Sequence, residues 1–197
     1  MTDLDLCHVA QEAYTSPPTW QWGDVKAILR WAAPKEPVVA FKGTSDPSDW
    51  LRDLDSVPMI HPKLGTCHRG FLTGSLEALE DIQGATKGCP VVLTGHSLGG
   101  ALAALTGALL GSLGSPVSQV VTFGCPKVGF QGVRMALTGV RCARYVHGDD
   151  IVPTLPWPYE HHVQAEIDLP GRIQLHGPSA LIGNHFIANY LEAMINA

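Results

Sequence analysis

Residues 91–105, Val-Val-Leu-Thr-Gly-His-Ser-Leu-Gly-Gly-Ala-Leu-Ala-Ala-Leu, constrain the fold of this chain more than any other stretch. An apolar run leads into Gly95-His96-Ser97-Leu98-Gly99, and a small-residue apolar segment follows. That order predicts a buried strand, a sharp turn and a helix. Glycines two residues to either side of the serine suit a turn too tight to hold a Cβ there. The serine then stands at a helix N-terminus, where free N–H groups favour developing negative charge. Together these features define a nucleophile elbow. The plain alternative is a glycine-rich strand-to-helix turn that happens to contain serine. The preceding strand, the Gly99-Gly100 step and the Ala/Leu helix argue against it.

A chain of 197 residues is most simply one domain, with enough length to bury a substantial core. Hydrophobic residues at 45% and charged residues at 16% fit a folded protein with a compact interior. The net charge of −5, with no Lys/Arg cluster, argues against nucleic acid as a partner. No apolar run is long enough for a transmembrane segment; Gly107 and Gly111 interrupt the longest. The start, Met1-Thr2-Asp3-Leu4-Asp5, lacks the basic and apolar regions of a secretory signal. As written, the expectation is a cytoplasmic protein; a chain whose signal had been removed would look the same and be secreted. Cys7, Cys67, Cys89, Cys125 and Cys142 form no Cys-x-x-Cys pair, so neither a metal site nor a redox motif is expected. They read as structural, with a disulfide only if the protein is exported. Cys67 beside His68 suggests a thiol nucleophile, but sequence neighbours rarely face each other productively.

Along the chain, apolar spacing predicts helices over residues 4–14, 71–83, 98–113, 133–137 and 182–195. Strands are expected near 25–31, 38–42, 91–96, 119–123 and 143–146. Residues 162–167 and 172–175 read as a hairpin around Asp168-Leu169-Pro170-Gly171. Alternating strands and helices imply an α/β fold, a mostly parallel sheet covered on both faces, with sites at the carboxyl ends of its strands. Gly43, Ser97, Gly124 and Asp150 each follow a strand and are expected on one rim.

A serine hydroxyl needs a base, and the base a carboxylate to orient it. Downstream of Ser97, a strand ends and Asp149 and Asp150 follow on a loop. Asp150 is the better candidate, because Ile151-Val152-Pro153 pins its backbone while Asp149 is freer to face solvent. For the base, His161, His162, His176 and His185 all remain open. His185, at the mouth of the last helix after Gly183-Asn184, is the favourite by position. His96 points away by elbow geometry and is expected to be packed or hydrogen-bonded. The oxyanion donors are expected to be the Leu98 N–H and a donor from the loop at Gly43-Thr44, unless that loop is a simple turn.

Several segments together resemble the class 3 lipases, the fungal-lipase-like branch of the α/β-hydrolases. They are Val38–Thr44, Asp49–Leu54, His68–Phe71, Thr94–Ala103, Val121–Gly129 and Asp150–Pro156, in the family's order. The resemblance implies an α/β-hydrolase fold and Ser97 as nucleophile, Asp150 as acid, His185 as base, and Thr44 with Leu98 as oxyanion hole. Neither a cofactor nor a metal is expected. His162 to Glu166 resembles the family's structural His-x-x-x-Glu strand. Lys42 stands where the family usually has arginine, Asn184 where many members carry aspartate, and Tyr190 lies five residues after His185 rather than three.

The family also implies a lid after the oxyanion loop, here within residues 45–60. Asp46 can cap a helix with Pro47 at its first position. Trp50, Leu51 and Leu54 would then share one face, as a lid or as a wall lining the substrate site. The expected activity is that of a serine carboxylester hydrolase on acylglycerol-like or other apolar esters, reached at a lipid–water interface. The alternatives are a soluble esterase for short-chain or aromatic esters and a non-catalytic lipid or protein binder that keeps the fold.

Overall fold

In the computed structural model, residues 1–45, 57–163, 165–171 and 183–197 are described. Seven strands form one sheet: β1 (Trp20–Trp22), β2 (Val25–Ala33), β3 (Glu36–Phe41), β6 (Val91–His96), β7 (Val117–Phe123), β8 (Arg141–His147) and β9 (Ile167–Leu169), in that spatial order. The first three pair antiparallel; β3, β6, β7, β8 and β9 run parallel. A separate hairpin joins β4 (Pro58–His61) to β5 (Gly65–His68). The helices are α1 (Asp3–Glu12), α2 (Arg69–Thr86), α3 (Leu98–Ser112), α4 (Gln131–Ala136) and α5 (Ile187–Ile195).

The period-two alternation of β3 divides the core between two faces. Val39 and Phe41 pack with Leu72, Leu102, Leu105 and Val120 under α2 and α3. Val38 and Ala40 point the other way, to Leu6, Ala10, Val121 and Tyr190 on and around α1 and α5. Strand β6 is buried along its whole length, as a central parallel strand must be, and so carries no polar face. Helix α3 is buried from Gly99 to Leu110 for the same reason: it lies in the interior, apolar all round.

Local chemistry fixes the helix ends. Thr2 and Asp5 form a capping box at α1, with the Thr2 side chain accepting from Asp5 N–H and the Asp5 carboxylate accepting from Thr2 N–H. The His68 ring accepts from Phe71 N–H at the start of α2. That capping role, together with burial that pushes the Cys67 thiol up to about 11, leaves this pair unsuited to nucleophilic chemistry.

Two expectations are corrected. The stretch read as a hairpin arm over 162–167 forms a strand only at Ile167–Leu169, and it pairs parallel with β8. Its proposed partner, residues 172–175, lies outside the described residues. The last helix begins at Ile187 rather than 182, which leaves His185 on the loop before it. The short strand β1 and the β4–β5 hairpin have no counterpart in the sequence reading. Most of the expected lid segment, including Trp50, Leu51 and Leu54, also lies outside the described residues.

Candidate active site

The register of the sheet brings the strand ends to one rim. Phe41 is level with Gly95, His96 with Phe123, and Phe123 with Tyr145. Beyond those levels Ser97 N–H donates to Phe123 O at 2.9 Å, and Gly124 N–H to Tyr145 O at 3.0 Å.

Ser97 has φ 57° and ψ −128°, a conformation L-residues rarely adopt and one held here by the surrounding packing. The two flanking glycines show why the turn tolerates nothing larger. A Cβ on Gly95 would lie 2.3 Å from Gly99 O, and one on Gly99 would lie 2.2 Å from Phe41 O. Both obstacles are backbone and cannot swing aside. The same contacts bring the end of β3, with Lys42 just beyond it, against the first turn of α3. Leu98 is the first residue of that helix, so its N–H is among the donors without an intrahelical partner.

Asp150 is buried and hydrogen-bonded through both oxygens. Its Oδ2 accepts from His185 Nδ1 at 2.7 Å and from the Tyr190 hydroxyl at 2.5 Å. Its Oδ1 accepts from Val152 N–H at 2.9 Å. Asp149, by contrast, is exposed. With Nδ1 donating to Asp150, His185 keeps a lone pair on Nε2. Among the described residues, His185 Nε2 and Ser97 Oγ are both buried and both lack a hydrogen-bond partner. They do not bond to each other, but neighbours of the serine lie against the His185 ring. The His185 ring lies 4.6 Å, centroid to centroid, from the ring of His96, the residue before the serine. A Cβ on Gly124, next to the acceptor of Ser97 N–H, would sit 3.0 Å from His185 Cε1, Asp150 Oδ2 and the Tyr190 hydroxyl.

Two other histidines hold the loop that carries His185. The His147 ring donates through Nδ1 to Asn184 O at 3.1 Å, and the His96 ring through Nε2 to His185 O at 2.5 Å. Of the rival bases, His161 and His162 sit beside Arg144, and burial together with neighbouring positive charge pushes both down to about 3. The His162 ring contacts Thr122 and Cys125 rather than Asp150, and Glu166 pairs with Arg144. His176 lies outside the described residues. Tyr190 was noted in the sequence only for its spacing; its hydroxyl on Asp150 is visible in the structure alone. Among the described residues, no three His, Cys, Asp or Glu side chains gather as metal ligands would.

The sequence profile of the class 3 lipases matches residues 38–160, well over half of the chain. The chain belongs to the class 3 lipases. As a class 3 lipase it is 33% identical over 135 residues to secreted mono- and diacylglycerol lipase 1 of Fusarium solani, a match covering 63% of this chain and 40% of that protein. It is 34% identical over 144 residues to a lipase of Rhizomucor miehei, covering 66% and 40%. The crystal structure of a lipase from Rhizopus microsporus var. chinensis superposes with a TM-score of 0.71 at 22% identity, over 95% of this chain and 84% of that one. The fold of this class 3 lipase is thus the α/β-hydrolase fold. The chain spans about two fifths of the length of the relatives it matches.

Proposed function

We propose that the chain is a serine carboxylester hydrolase acting through an acyl-enzyme on acylglycerol-like or other apolar esters. The observation that carries this reading is the chain of groups on one rim: Asp150 bonded to His185 Nδ1, a free lone pair at His185 Nε2, and a free hydroxyl on the strained Ser97. Ser97 Oγ attacks the ester carbonyl carbon while its proton passes to His185 Nε2. Asp150 balances the charge that forms on the ring. The carbonyl oxygen, now negative, takes N–H donors from Leu98 and the loop at Thr44, whose hydroxyl is a further donor. Collapse of the tetrahedral species expels the alcohol, which leaves with the proton from His185. Water then attacks the acyl group with the same ring as base and frees the acid and Ser97.

The acylglycerol class comes from the relatives, one of which is named for mono- and diacylglycerols. Phe186, exposed and next in sequence to His185, gives the rim an apolar side chain suited to a lipid–water interface. The test is Ser97→Ala against a p-nitrophenyl ester, with a fluorophosphonate as label. Wild type should be labelled and turn over. The variant should take no label and lose several orders of magnitude in kcat. Turnover retained by Ser97→Ala would end the proposal. A rate on triglyceride that rises steeply above its solubility limit supports substrate capture at an interface; a smooth saturation curve through that limit favours the soluble-esterase alternative.

A further inference from the structure

Helix α1 ends close to the site, and Tyr14, just beyond it, reaches into the rim. The Tyr14 hydroxyl lies 2.7 Å from His96 Nδ1, and the Gly43 backbone lies against the same oxygen. Because His185 O can only accept, the His96 proton is on Nε2, and Nδ1 is left to accept from Tyr14. The direction of both bonds is therefore fixed: Tyr14 O–H to His96 Nδ1, and His96 Nε2–H to His185 O. Burial, and next the nearby His185, hold His96 well below the usual imidazole range, which keeps its ring neutral and this tautomer intact. The junction is tight. A Cβ on Gly43 would stand 2.1 Å from the Tyr14 hydroxyl and 2.6 Å from His96 O.

We infer that Tyr14 and His96 are positioning residues: a strut, packed against Gly43 at one end and hydrogen-bonded to His185 O at the other, that sets the oxyanion loop at Gly43-Thr44 and the backbone of His185 at a fixed distance from each other. The inference rests on the esterase reading above, since it assigns the strut to those two halves of the reaction. Its physical basis is reach. The Gly43-Thr44 loop and the base come from segments about 140 residues apart in the chain, and neither segment bonds the other directly in the described structure. An error of about 1 Å between such groups can cost a hundredfold in rate. Tyr14 touches neither substrate nor reacting atoms in this scheme; it acts through Gly43 and His96.

The test is Tyr14→Phe, which removes one hydroxyl and keeps the ring that packs near His96. Activity is measured on p-nitrophenyl butyrate and divided by the active sites titrated with a fluorophosphonate, so that loss of folded protein does not count. We expect kcat per titrated site to fall ten- to a hundredfold with KM within about twofold of wild type. Unchanged turnover per titrated site would overturn the inference while leaving the esterase reading intact. Wild type that takes no label would sink the esterase reading, and the strut with it. Should Tyr14→Phe fail to fold, 15N NMR of the wild-type histidine rings decides instead. His96 is expected as the neutral Nε2–H tautomer from pH 5 to 9; an Nδ1–H tautomer, or titration in that range, would refute the strut.

Discussion

Asp150 Oδ2 accepts two hydrogen bonds, from His185 Nδ1 and from the Tyr190 hydroxyl, and Tyr190 is wholly buried. Burial, then the Asp150 charge, hold the phenol well above its ordinary range, so Tyr190 is a donor at any working pH. A hydrogen bond to a charged acceptor contributes about 1.5–3 kcal/mol. Tyr190→Phe should therefore lower unfolding free energy by that amount in urea titrations, and lower kcat as Asp150 loses a fixed point; a variant as stable as wild type would mean the bond adds nothing. The elbow glycines belong to the same scale. Gly99→Ala forces a methyl against Phe41 O, a backbone atom, and is expected to cost more than about 3 kcal/mol or to give no soluble protein. A well-folded Gly99→Ala enzyme would show that the loop after β3 can yield. Asp150 was preferred over Asp149 from Ile151-Val152-Pro153 alone, and the structure gives a local reason: Val152 N–H bonds the Asp150 carboxylate two residues back. Tyr190 could not be read the same way, because its partner lies forty residues distant.

The elements that were legible are those with a strong period and a local stop. Strand β6 and helix α3 were evident because one continuous apolar run turns at glycines into another. Helix α1 carries its own start signal, the Thr2–Asp5 box. Thr2→Ala should cost about 1 kcal/mol of stability, read from the urea midpoint, and no change would mean the helix end is held by tertiary contacts instead. Those contacts are visible: Asp3 pairs with Arg141 and accepts from the Tyr145 hydroxyl. Strand β9 was misplaced because three residues, Ile167–Leu169, carry too little pattern to outweigh their neighbours; pairing with β8 decides them. The β4–β5 hairpin escaped for a similar reason, since Pro58-Met59-Ile60-His61 is mostly exposed and shows no alternation of burial.

At the scale of the molecule, burial of neutral histidine ties stability to pH. His161 and His162 are held down to about 3 by burial and by the positive charge around Arg144. In the unfolded chain an imidazole titrates near 6.5. Between about pH 3 and 6.5 the unfolded state therefore binds more protons, so stability rises with pH through that window and is complete above it. Each ring adds a slope of up to about 1.4 kcal/mol per pH unit. The melting temperature should fall from pH 7 to pH 4, and His162→Asn should fall less steeply; parallel curves for the two proteins would contradict this.

The amino-acid sequence by itself determined the elbow, the alternation of strands and helices, and the family. These depend on neighbours a few residues apart, where spacing translates directly into geometry. Which of four downstream histidines meets Asp150, that Tyr190 shares the same carboxylate, and that Tyr14 and His96 link Gly43 to His185 were decided only by the tertiary structure. Those contacts span 35 to 89 residues of chain, and they exist because parallel strands in register end at a common rim while the first and last helices pack on one face of the same sheet.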